Sequence, residues 1–519
     1  MHRFSKQMFW GAMISSAVVL TACGSPSQTE NAQAGNSSAN HQTQSKKDTL
    51  VIDDLSETRD LTTIDPLNKD ITLPRSMVFD SLFVKGSDGQ IQPSLAQSYT
   101  TKGNTLEIKL KQGIKFQNGD PLNAQSVKAT IEKILHPDPN EESAFTSLLA
   151  NIQQVNVVDD DTVDIVTNHP DYILPQYLTN ISIVDAKQLA KGNQYQTQLN
   201  GTGPYMLADW KRGQEVVLKA NPNYWGKKPQ FKQVIIKYVP DESTRIADLL
   251  SGHADIAADL TPESINRVTG SSSDGVISTP GDRVTYMSYN FTGPLANEKV
   301  RQAIYYAIDR KTLAKDVYGT YATPATAPVV KGASGYVDEF PLSDFNVQKA
   351  KQLMNESGVK GPVDISLHVS QSDLDVAQVI QSQLKNIGIQ VKIDVLAQGE
   401  LLDPKQLNKP QPIMFIFTGL DNPEEDAYRI YAPTFSDESF IKPFGYQPSA
   451  EVGNLIQQYL AAPDLAKRTA VSKQILEVTK QQAAVVWLLQ PSNIYGVSNQ
   501  INWQPNGATQ IQIQQIQEK

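Results

Sequence analysis

The stretch VDISLHVSQSDLDVAQVIQSQLKNIGIQVKIDVL, residues 363–396, decides the fold class. Apolar side chains alternate with polar ones at both of its ends, which is the period of a half-buried strand. Between these ends Val376, Ile380 and Leu384 lie on one face of a helix, and Gly388 follows as a natural stop. Strand, helix and strand in this order form a βαβ unit, so we expect a parallel sheet covered by helices.

The segments around this unit extend the same α/β pattern. PIMFIF, residues 412–417, is continuously apolar, as a strand covered on both faces should be. We further predict strands at 49–55, 104–116 and 485–490, a hairpin with its turn at 159–161, and helices at 122–135, Ala450–Ala461 and Asp464–Val485. The architecture that follows has two α/β segments with an insertion in the first.

The N-terminus has the features of a secretory signal. A short basic start precedes the apolar run Met8–Leu20, which is shorter than the roughly 20 residues that a membrane span needs. LTAC, residues 20–23, resembles the lipobox of bacterial lipoproteins, in which the cysteine is diacylated and becomes the new N-terminus. The alternative is an ordinary cleaved signal that leaves Cys23 unmodified. Gly24–Lys47 has no aromatic or branched aliphatic residue, which predicts a flexible tether.

Composition excludes one class of partner. The formal net charge is -9, and no basic cluster follows the signal. Nucleic-acid binding proteins usually carry a basic patch, so we expect no nucleic acid as partner.

No catalytic or metal-binding motif is evident. The best metal candidate is SGHADIAADL, with His253, Asp255 and Asp259, although the spacing of paired zinc histidines is absent. We interpret this stretch as a loop that follows a helix carrying Ile246 and Leu249. There is no nucleophile elbow and no Walker loop, so we expect neither an enzyme nor a bound cofactor or metal.

Several short motifs occur together in one order. They are VFDSLF, QPSLAQSY, LEIKLKQGIKFQNGDPLNAQSV, GTGPY, LKANPNYWGKKP, SGHADIA and NEKVRQAIYYAIDRKTLAKDVYG. In this order they resemble the bacterial extracellular solute-binding proteins of family 5, the peptide and nickel receptors of ABC importers, over about residues 48–505. The resemblance implies a two-lobed periplasmic-binding-protein-like α/β fold (type II, cluster C), with an extra domain inserted in the first lobe.

The resemblance and the patterns together predict the organisation of the chain. The predicted units are a signal peptide at 1–22, the lipidated cysteine and tether at 23–47, lobe I at 48–75, 189–282 and 485–519, the inserted domain at 76–188, and lobe II at 283–484. The motifs NPNYWG and GTGPY, together with Asn290 and Arg301, are interpreted as scaffold.

The same resemblance assigns ligand-binding residues. In peptide-binding relatives an aspartate beyond an apolar strand pairs with the peptide's α-ammonium, and Asp421 in FTGLDNPEEDAY occupies the matching position. The residues expected around the ligand are Phe417, Thr418, Gly419, Leu420 and Asn422. The alternative for Asp421 is a turn aspartate ahead of Pro423. This sequence departs from the family's pattern at two points, with Phe417 in place of the tryptophan and Glu424-Glu425 in place of the usual Asp-Pro.

The function implied is capture of short peptides and their delivery to an ABC permease. We expect a monomer, lipid-anchored to the outer face of the membrane on a Gram-positive surface. Arg75, Arg283 and Lys315 are candidates for holding the peptide's carboxylate. The alternatives are a nickel or metallophore receptor, for which only His368 is plausibly placed, a peptide-pheromone receptor, and an exported hydrolase.

Overall fold

The computed structural model of the chain describes residues 47–55, 73–86, 90–137, 145–191, 199–270, 274–281, 283–325, 327–331, 333–337, 345–397, 400–401, 403, 409–418, 426–436, 441–442, 445–503, 505, 511 and 513–519. The segment Lys47–Lys519 forms a compact unit of its own.

Twenty strands occur in the described residues. They are β1 Thr49–Asp54, β2 Phe83–Lys85, β3 Ile91–Pro93, β4 Ala96–Lys102, β5 Thr105–Leu110, β6 Ile152–Asp159, β7 Thr162–Thr167, β8 Tyr205–Lys211, β9 Glu215–Ala220, β10 Gln233–Tyr238, β11 Ile256–Ala257, β12 Asp274–Pro280, β13 Thr285–Tyr289, β14 Ala322–Pro324, β15 Val363–Val369, β16 Ile389–Val395, β17 Ile413–Thr418, β18 Val486–Ser498, β19 Ile501–Trp503 and β20 Ile516–Glu518.

The α-helices of the described residues cover the sheets. They are α1 Leu73–Val78, α2 Ala124–Leu135, α3 Thr146–Leu149, α4 Leu174–Tyr177, α5 Ala186–Leu189, α6 Glu242–Leu250, α7 Ile265–Thr269, α8 Glu298–Ala307, α9 Arg310–Tyr318, α10 Val347–Glu356, α11 Leu374–Lys385, α12 Tyr428–Phe435, α13 Ala450–Ala461 and α14 Leu465–Gln482. None of the helices in these residues is long and apolar enough to cross a membrane.

The βαβ unit predicted at residues 363–396 is confirmed. β15 and β16 pair in parallel with Val363 opposite Ile389, and α11 connects them. The helical stripe Val376, Ile380 and Leu384 is completely buried. Gly388 has a φ of 83°, a left-handed conformation that favours glycine between helix and strand.

Two lobes share one twelve-stranded sheet, in the order β16-β15-β17-β13-β18-β11-β1-β10-β9-β8, with β12 and β14 also paired to β18. We call the part built on β1, β8–β12 and the end of β18 lobe I. The part built on β13–β17 and the start of β18 is lobe II. In the described part of the chain, the backbone therefore passes between the lobes at two places, from β12 into β13 and within β18.

The two crossings run side by side in opposite directions. Pro280 is paired with Ser492, and Thr285 with Leu489. Between these pairs the N–H of Gly281 donates to the carbonyl oxygen of Pro491 at 3.1 Å. The Gln490 side chain donates to the Gly281 carbonyl oxygen at 2.6 Å. The crossings are thus bonded to one another where the chain leaves each lobe.

A separate four-stranded antiparallel sheet, in the order β4-β5-β7-β6, lies between β1 and β8 in the chain. The predicted alternation places Leu106, Ile108 and Leu110 in its core at 0–2% exposure. The predicted hairpin is confirmed, because β6 and β7 join through residues 160–161. This sheet falls inside the insertion predicted at 76–188, whose exact borders stay a prediction.

Three predicted boundaries were wrong. The strand predicted at 104–116 ends at Leu110, because the chain turns at residues 112–113. The helix predicted to reach Val485 ends at Gln482, because Ala483 adopts a left-handed conformation with φ of 45° and closes the last turn onto Lys480. The strand predicted at 485–490 continues to Ser498, since its second half pairs with β12 and β11.

Three of the motifs meet at one half-buried carboxylate. Asp80 of VFDSLF accepts hydrogen bonds from the Thr202 hydroxyl of GTGPY at 2.9 Å and from Nε1 of Trp225 in NPNYWG at 2.9 Å. The Tyr224 hydroxyl donates to its other oxygen at 3.4 Å. Burial raises the pKa of Asp80, while the bonds from Trp225, Thr202 and Tyr224 lower it. These motifs therefore build scaffold, as predicted.

The glycines of GTGPY permit a close approach of two backbones. The N–H of Gly203 donates to the carbonyl oxygen of Val78 at 2.9 Å. A Cβ atom on Gly203 would lie 2.5 Å from the carbonyl oxygen of Met77, a main-chain atom that cannot rotate away. Only glycine fits at this contact.

Gly203→Ala is expected to lower the free energy of unfolding by about 1–3 kcal/mol, because the added methyl group overpacks against main chain. Chemical denaturation measures this change. Gly453→Ala is the control, since Gly453 lies in α13 with open space around its Cβ direction and should gain about 1 kcal/mol from better helix propensity. Equal effects of the two changes would contradict the packing argument.

Asp53 is a buried carboxyl in the central strand of lobe I. Its side chain is 0% exposed, and the nearest cation is the Lys237 Nζ at 3.8 Å. Burial raises the pKa of Asp53 to about 7, against the lowering effect of Lys237. Between pH 4 and 7 the folded protein thus binds a proton that the unfolded chain releases, so this group makes stability fall as pH rises.

The change in the free energy of unfolding caused by Asp53→Asn should therefore be more favourable at pH 8 than at pH 5, by up to roughly 3 kcal/mol. Thermal unfolding of both proteins at both pH values measures the difference. Asp255→Asn is the matched control. Asp255 is also buried but accepts from the Val51 N–H at 2.9 Å and pairs with Lys47, so its change should destabilise at both pH values. A pH-independent effect of Asp53→Asn would contradict the assignment.

Candidate functional site

The carboxyl edge of lobe II is where the candidate ligand residues begin. β15 and β17 are parallel, so Val369 and Thr418 end at the same edge. β13 runs in the opposite direction and starts there, with Thr285 opposite Thr418. In open α/β sheets this edge is where ligands bind. It also adjoins the first crossing, because β13 follows directly from it.

A buried polar network fixes the end of β17. The Thr418 hydroxyl donates to Asp373 Oδ1 at 2.6 Å and lies 2.8 Å from the Thr285 hydroxyl. The Ser370 hydroxyl donates to the other oxygen of Asp373 at 2.8 Å. Burial raises the pKa of Asp373, and the bonds from Thr418 and Ser370 lower it. The Thr418 side chain therefore positions the strand end.

An aromatic cluster lies on the opposite face of the same strand end. The Phe417 ring lies 5.4 Å from that of Tyr286 and 6.1 Å from that of Phe415, measured between centroids. Trp487 of β18 packs on Tyr286 at 5.6 Å. Tyr286 and Trp487 are buried, whereas Phe417 is half-buried. The exposed part of the Phe417 ring is therefore an apolar surface that adjoins the buried rings of this cluster.

Asp426 anchors the chain after the predicted binding stretch. Its side chain is 0% exposed, accepts from the Tyr428 N–H at 2.8 Å and lies near Arg468. The N–H of Ala427 donates to the Ser334 carbonyl oxygen at 3.0 Å. Burial raises the pKa of Asp426, with Arg468 opposing. Positions 418 and 426 are thus both fixed by buried polar contacts.

The predicted residues between these anchors lie outside the described residues. They are Gly419, Leu420, Asp421 and Asn422, and Cys23 also lies outside them. Of the predicted ligand residues, Phe417 and Thr418 are described, and both lie at the strand end where they were expected.

Lobe I contributes an exposed carboxylate near the crossings. Asp259 follows β11 and has a φ of 52°, a conformation that residues other than glycine rarely adopt. The guanidinium of Arg245 donates to the carbonyl oxygens of Ala258 and Asp259, both at 2.9 Å, and so holds this backbone. Surrounding protein raises the pKa of Asp259, while the charges of Arg245 and Arg283 lower it.

The three candidates for a carboxylate partner lie in different places. Arg75 is 1% exposed inside α1, and Lys315 is exposed on α9. Arg283 lies in the first crossing, two residues before Thr285, and is exposed. Of the three, Arg283 is the one that lies beside the edge holding Thr418.

The metal candidates do not assemble. Within the described ranges, no three His, Cys, Asp or Glu side chains are grouped as metal ligands. Asp255 accepts a hydrogen bond from the Val51 N–H, and His253 Nδ1 contacts the Ser251 hydroxyl at 3.0 Å. His368 is 3% exposed, with Asp394 at 3.7 Å, and burial lowers its pKa.

A groove of about 510 Å³ lies elsewhere on lobe II. It is lined by α8, α10 and α14 through Gln302, Tyr305, Tyr306, Lys349, Glu477, Lys480 and Gln481. It shares no lining residue with the edge around Thr418.

Sequence reasoning did not single out Tyr286, Trp487, Asp373 or the ligand potential of Asp259. In the sequence, Tyr286 and Trp487 have the pattern of ordinary strand residues. The pairing of β13 with β17 and β18 places them beside Phe417. The motif SGHADIA, residues 251–257, ends two residues before Asp259 and gave no sign of it.

Comparisons with known proteins agree with this geometry. The family described as bacterial extracellular solute-binding proteins, family 5 Middle, matches residues 90–439. The glutathione-binding protein GsiB of Salmonella typhi is 28% identical over 445 residues, covering 83% of this chain and 86% of that protein.

Solved structures share the fold. The ABC transporter substrate-binding protein CtaP of Listeria monocytogenes superposes with a TM-score of 0.81 at 20% identity, covering 91% of this chain and all of that one. DppA of Helicobacter pylori, solved with the peptide STSA, gives 0.74 at 20% identity over 91% and 98%. Both have the two-lobed fold of periplasmic binding proteins. The chain described here belongs to family 5 of the bacterial extracellular solute-binding proteins, which are non-catalytic receptors that deliver substrates to ABC importers.

Proposed function

We propose that the protein captures short peptides between its two lobes and delivers them to an ABC permease. The observation that carries the proposal is the edge at the end of β17. There Thr418 and Asp426 are fixed by buried networks on either side of the stretch that resembles the peptide-binding segment of the family. Both crossings adjoin this edge, so a ligand there would contact the elements that connect the lobes.

The relatives support a peptide ligand. GsiB is described as glutathione-binding, and the DppA structure holds a four-residue peptide. Glutathione is itself a short peptide, so both descriptions fall within one ligand class. We take short peptides as the class to test and glutathione as its first member.

Asp421 is the residue that we propose to pair with the ligand's α-ammonium. An opposite charge in a closed site is the natural partner of a carboxylate, and loss of one partner of such a pair costs about 2–5 kcal/mol. Gly419, Leu420 and Asn422 would line the ligand beside it. Phe417 would supply the apolar contact, since its ring is half-buried on a fixed aromatic cluster.

The peptide's main chain would bond to protein backbone near Thr418 and Gly419. This mode gives affinity with little side-chain selectivity, because the main chain is common to all peptides. The lobes would then close about the two crossings, and the ligand would stabilise the closed state by its differential affinity for that state. The permease would recognise the closed form.

The setting of the receptor is also a proposal. Lipidation of Cys23 would attach the chain to the outer face of the membrane through the tether 23–47. Two acyl chains hold a protein more durably than one, since each buried methylene contributes about 0.8 kcal/mol. We propose a monomer on a Gram-positive surface, beside its permease.

A nickel or metallophore receptor is the second candidate within the family. His368 would have to serve as a ligand, yet its ring is buried between Phe415 and Asp394. A pheromone receptor would share the peptide site and differ in ligand selectivity.

Protein purified from cells, acid-extracted and examined by mass spectrometry should release a ladder of short peptides. Asp421→Ala should release few or none, because the α-ammonium loses its partner. Asp364→Ala is the matched control, since Asp364 is an exposed carboxylate at the opposite end of β15 and should leave the ladder intact.

Recovery of a metal chelate in place of peptides would contradict the peptide assignment and favour the second candidate. An unchanged ladder from Asp421→Ala would remove Asp421 from the site while leaving the receptor function in place.

A further inference from the structure

The carboxyl edge of lobe I faces the crossings. β1 pairs in parallel with β10 and with β11, so these three strands end at one edge. β11 runs antiparallel to β18, with Ala257 opposite Gly496. Beyond the strand, the Leu260 N–H donates to the Ile494 carbonyl oxygen at 2.9 Å. The chain after β11 therefore advances along β18 toward Pro491, where the two crossings are bonded.

The carboxyl edges of the two lobes approach the same part of β18. On the side of lobe II, Thr418 pairs with Thr285, and Thr285 pairs with Leu489. On the side of lobe I, the contact is made at Ile494. These two residues of β18 are five positions apart, which is about 17 Å of extended strand. Ligands bind at such edges in open α/β sheets, and a peptide of a few residues is long enough to reach both.

Asp259 lies at this edge of lobe I with its carboxylate open to solvent. Its neighbours Ala258 and Leu260 are 4% and 5% exposed, whereas Asp259 itself is exposed. Within the described part of the chain, no hydrogen bond or ion pair engages the carboxylate. The surrounding protein still raises the pKa of Asp259, as expected of a carboxylate in a recess. The carboxylate is therefore available to a ligand.

The buried Arg245 holds the backbone of Asp259. Its guanidinium donates to the carbonyl oxygens of Ala258 and Asp259, both at 2.9 Å. It also donates to those of Val239 at 2.8 Å and Pro240 at 3.1 Å. Asp259 has a φ of 52°, a conformation that aspartate and asparagine adopt more often than most other residues with a β-carbon. Arg245 is thus occupied by main chain, and the backbone from which the carboxylate projects is fixed.

Closure of the lobes would remove water from the Asp259 carboxylate. A charge that loses its water without gaining a partner is unfavourable, so a ligand that supplies a cation is favoured over one that does not. In the proposed function Asp421 of lobe II takes the ligand's α-ammonium, and the cation for Asp259 has to come from another part of the ligand. At neutral pH the side chains that carry a full positive charge are those of lysine and arginine.

We propose that Asp259 binds the cationic side chain of a lysine or arginine in the ligand, so that the receptor selects basic peptides. The proposal rests on the proposed peptide function and names the class of peptides. The ligand is then held by one carboxylate of each lobe, Asp421 from lobe II and Asp259 from lobe I. A ligand that bonds to both lobes stabilises the closed state. The net charge of -9 also favours the approach of a cationic ligand.

The test uses pairs of peptides that differ in one ammonium group. Three tripeptides carry lysine at one position and alanine at the other two, and in their counterparts norleucine replaces lysine. Norleucine keeps the four-carbon stem and lacks the ammonium. Calorimetric titration of the purified protein, freed of bound ligand, should show roughly tenfold or tighter binding of the lysine peptide for at least one position, because only lysine pairs with Asp259.

Asp259→Asn should remove the preference for lysine without weakening the binding of the norleucine peptide, since asparagine keeps the shape and loses the charge. Asp209→Asn is the matched control, because Asp209 is exposed on β8 of lobe I at 56% of its side chain and should change neither affinity. Unfolding temperatures without ligand establish that each variant is folded. If Asp259→Asn is not folded, Asp259→Gly replaces it, since glycine readily adopts a positive φ.

Equal binding within all three pairs, or a lysine preference that survives Asp259→Asn, would overturn the proposal and leave the peptide receptor standing. Equal weakening of both members of a pair by Asp259→Asn would also overturn it, because that result indicates a structural role. Binding of none of the six tripeptides would overturn the selection of basic peptides. If acid extraction of protein purified from cells also releases no peptide, the proposed function is overturned with it.

Discussion

The paired crossings are the constraint on which the rest of the structure depends. At Gly281 and Pro491 two antiparallel chain segments are bonded N–H to carbonyl at 3.1 Å, and the Gln490 amide adds a second bond across them. A Cβ atom on Gly281 would collide with the Pro491 carbonyl oxygen, so the close approach needs glycine. Because both strands continue into each lobe, this contact fixes which strand ends of the two lobes adjoin one another. The edge of Thr418 and the exposed Asp259 are placed by it.

The motifs that identify the family and the residues that would choose the ligand are different sets. Asp80, Thr202 and Trp225 come from three motifs and form one partly buried network far along the chain from the lobe junction. Such contacts stabilise the fold and do not depend on which ligand is bound. The described residues expected near the ligand, Phe417 and Thr418, lie instead at the end of β17, at the edge beside the crossings. Relatives that share this scaffold can therefore differ in the solute they bind.

Much of the fold could be predicted from the sequence because burial imposes a period. Residues 363–396 alternate, turn helical and alternate again, and each change of period marks an element of the structure. The length of β18 was underestimated because the prediction relied on this apolar period. Pro491, Ser492 and Asn493 interrupt its apolar pattern, yet the strand continues because β12 and β14 pair with it. The early end of α14 depends on the left-handed Ala483, which no propensity signals. The site was less predictable, since Phe417, Tyr286 and Trp487 meet only through strand register.

The central claim is that a short peptide is held at the edge where the crossings join the lobes. A crystal structure of the protein purified with the ligand it retains from cells tests this claim most directly. The account predicts an extended peptide beyond Thr418 and Phe417, enclosed by both lobes, with its α-ammonium at Asp421. Density for the ligand in the groove lined by Gln302 and Lys349, or a metal chelate held by His368, would contradict it.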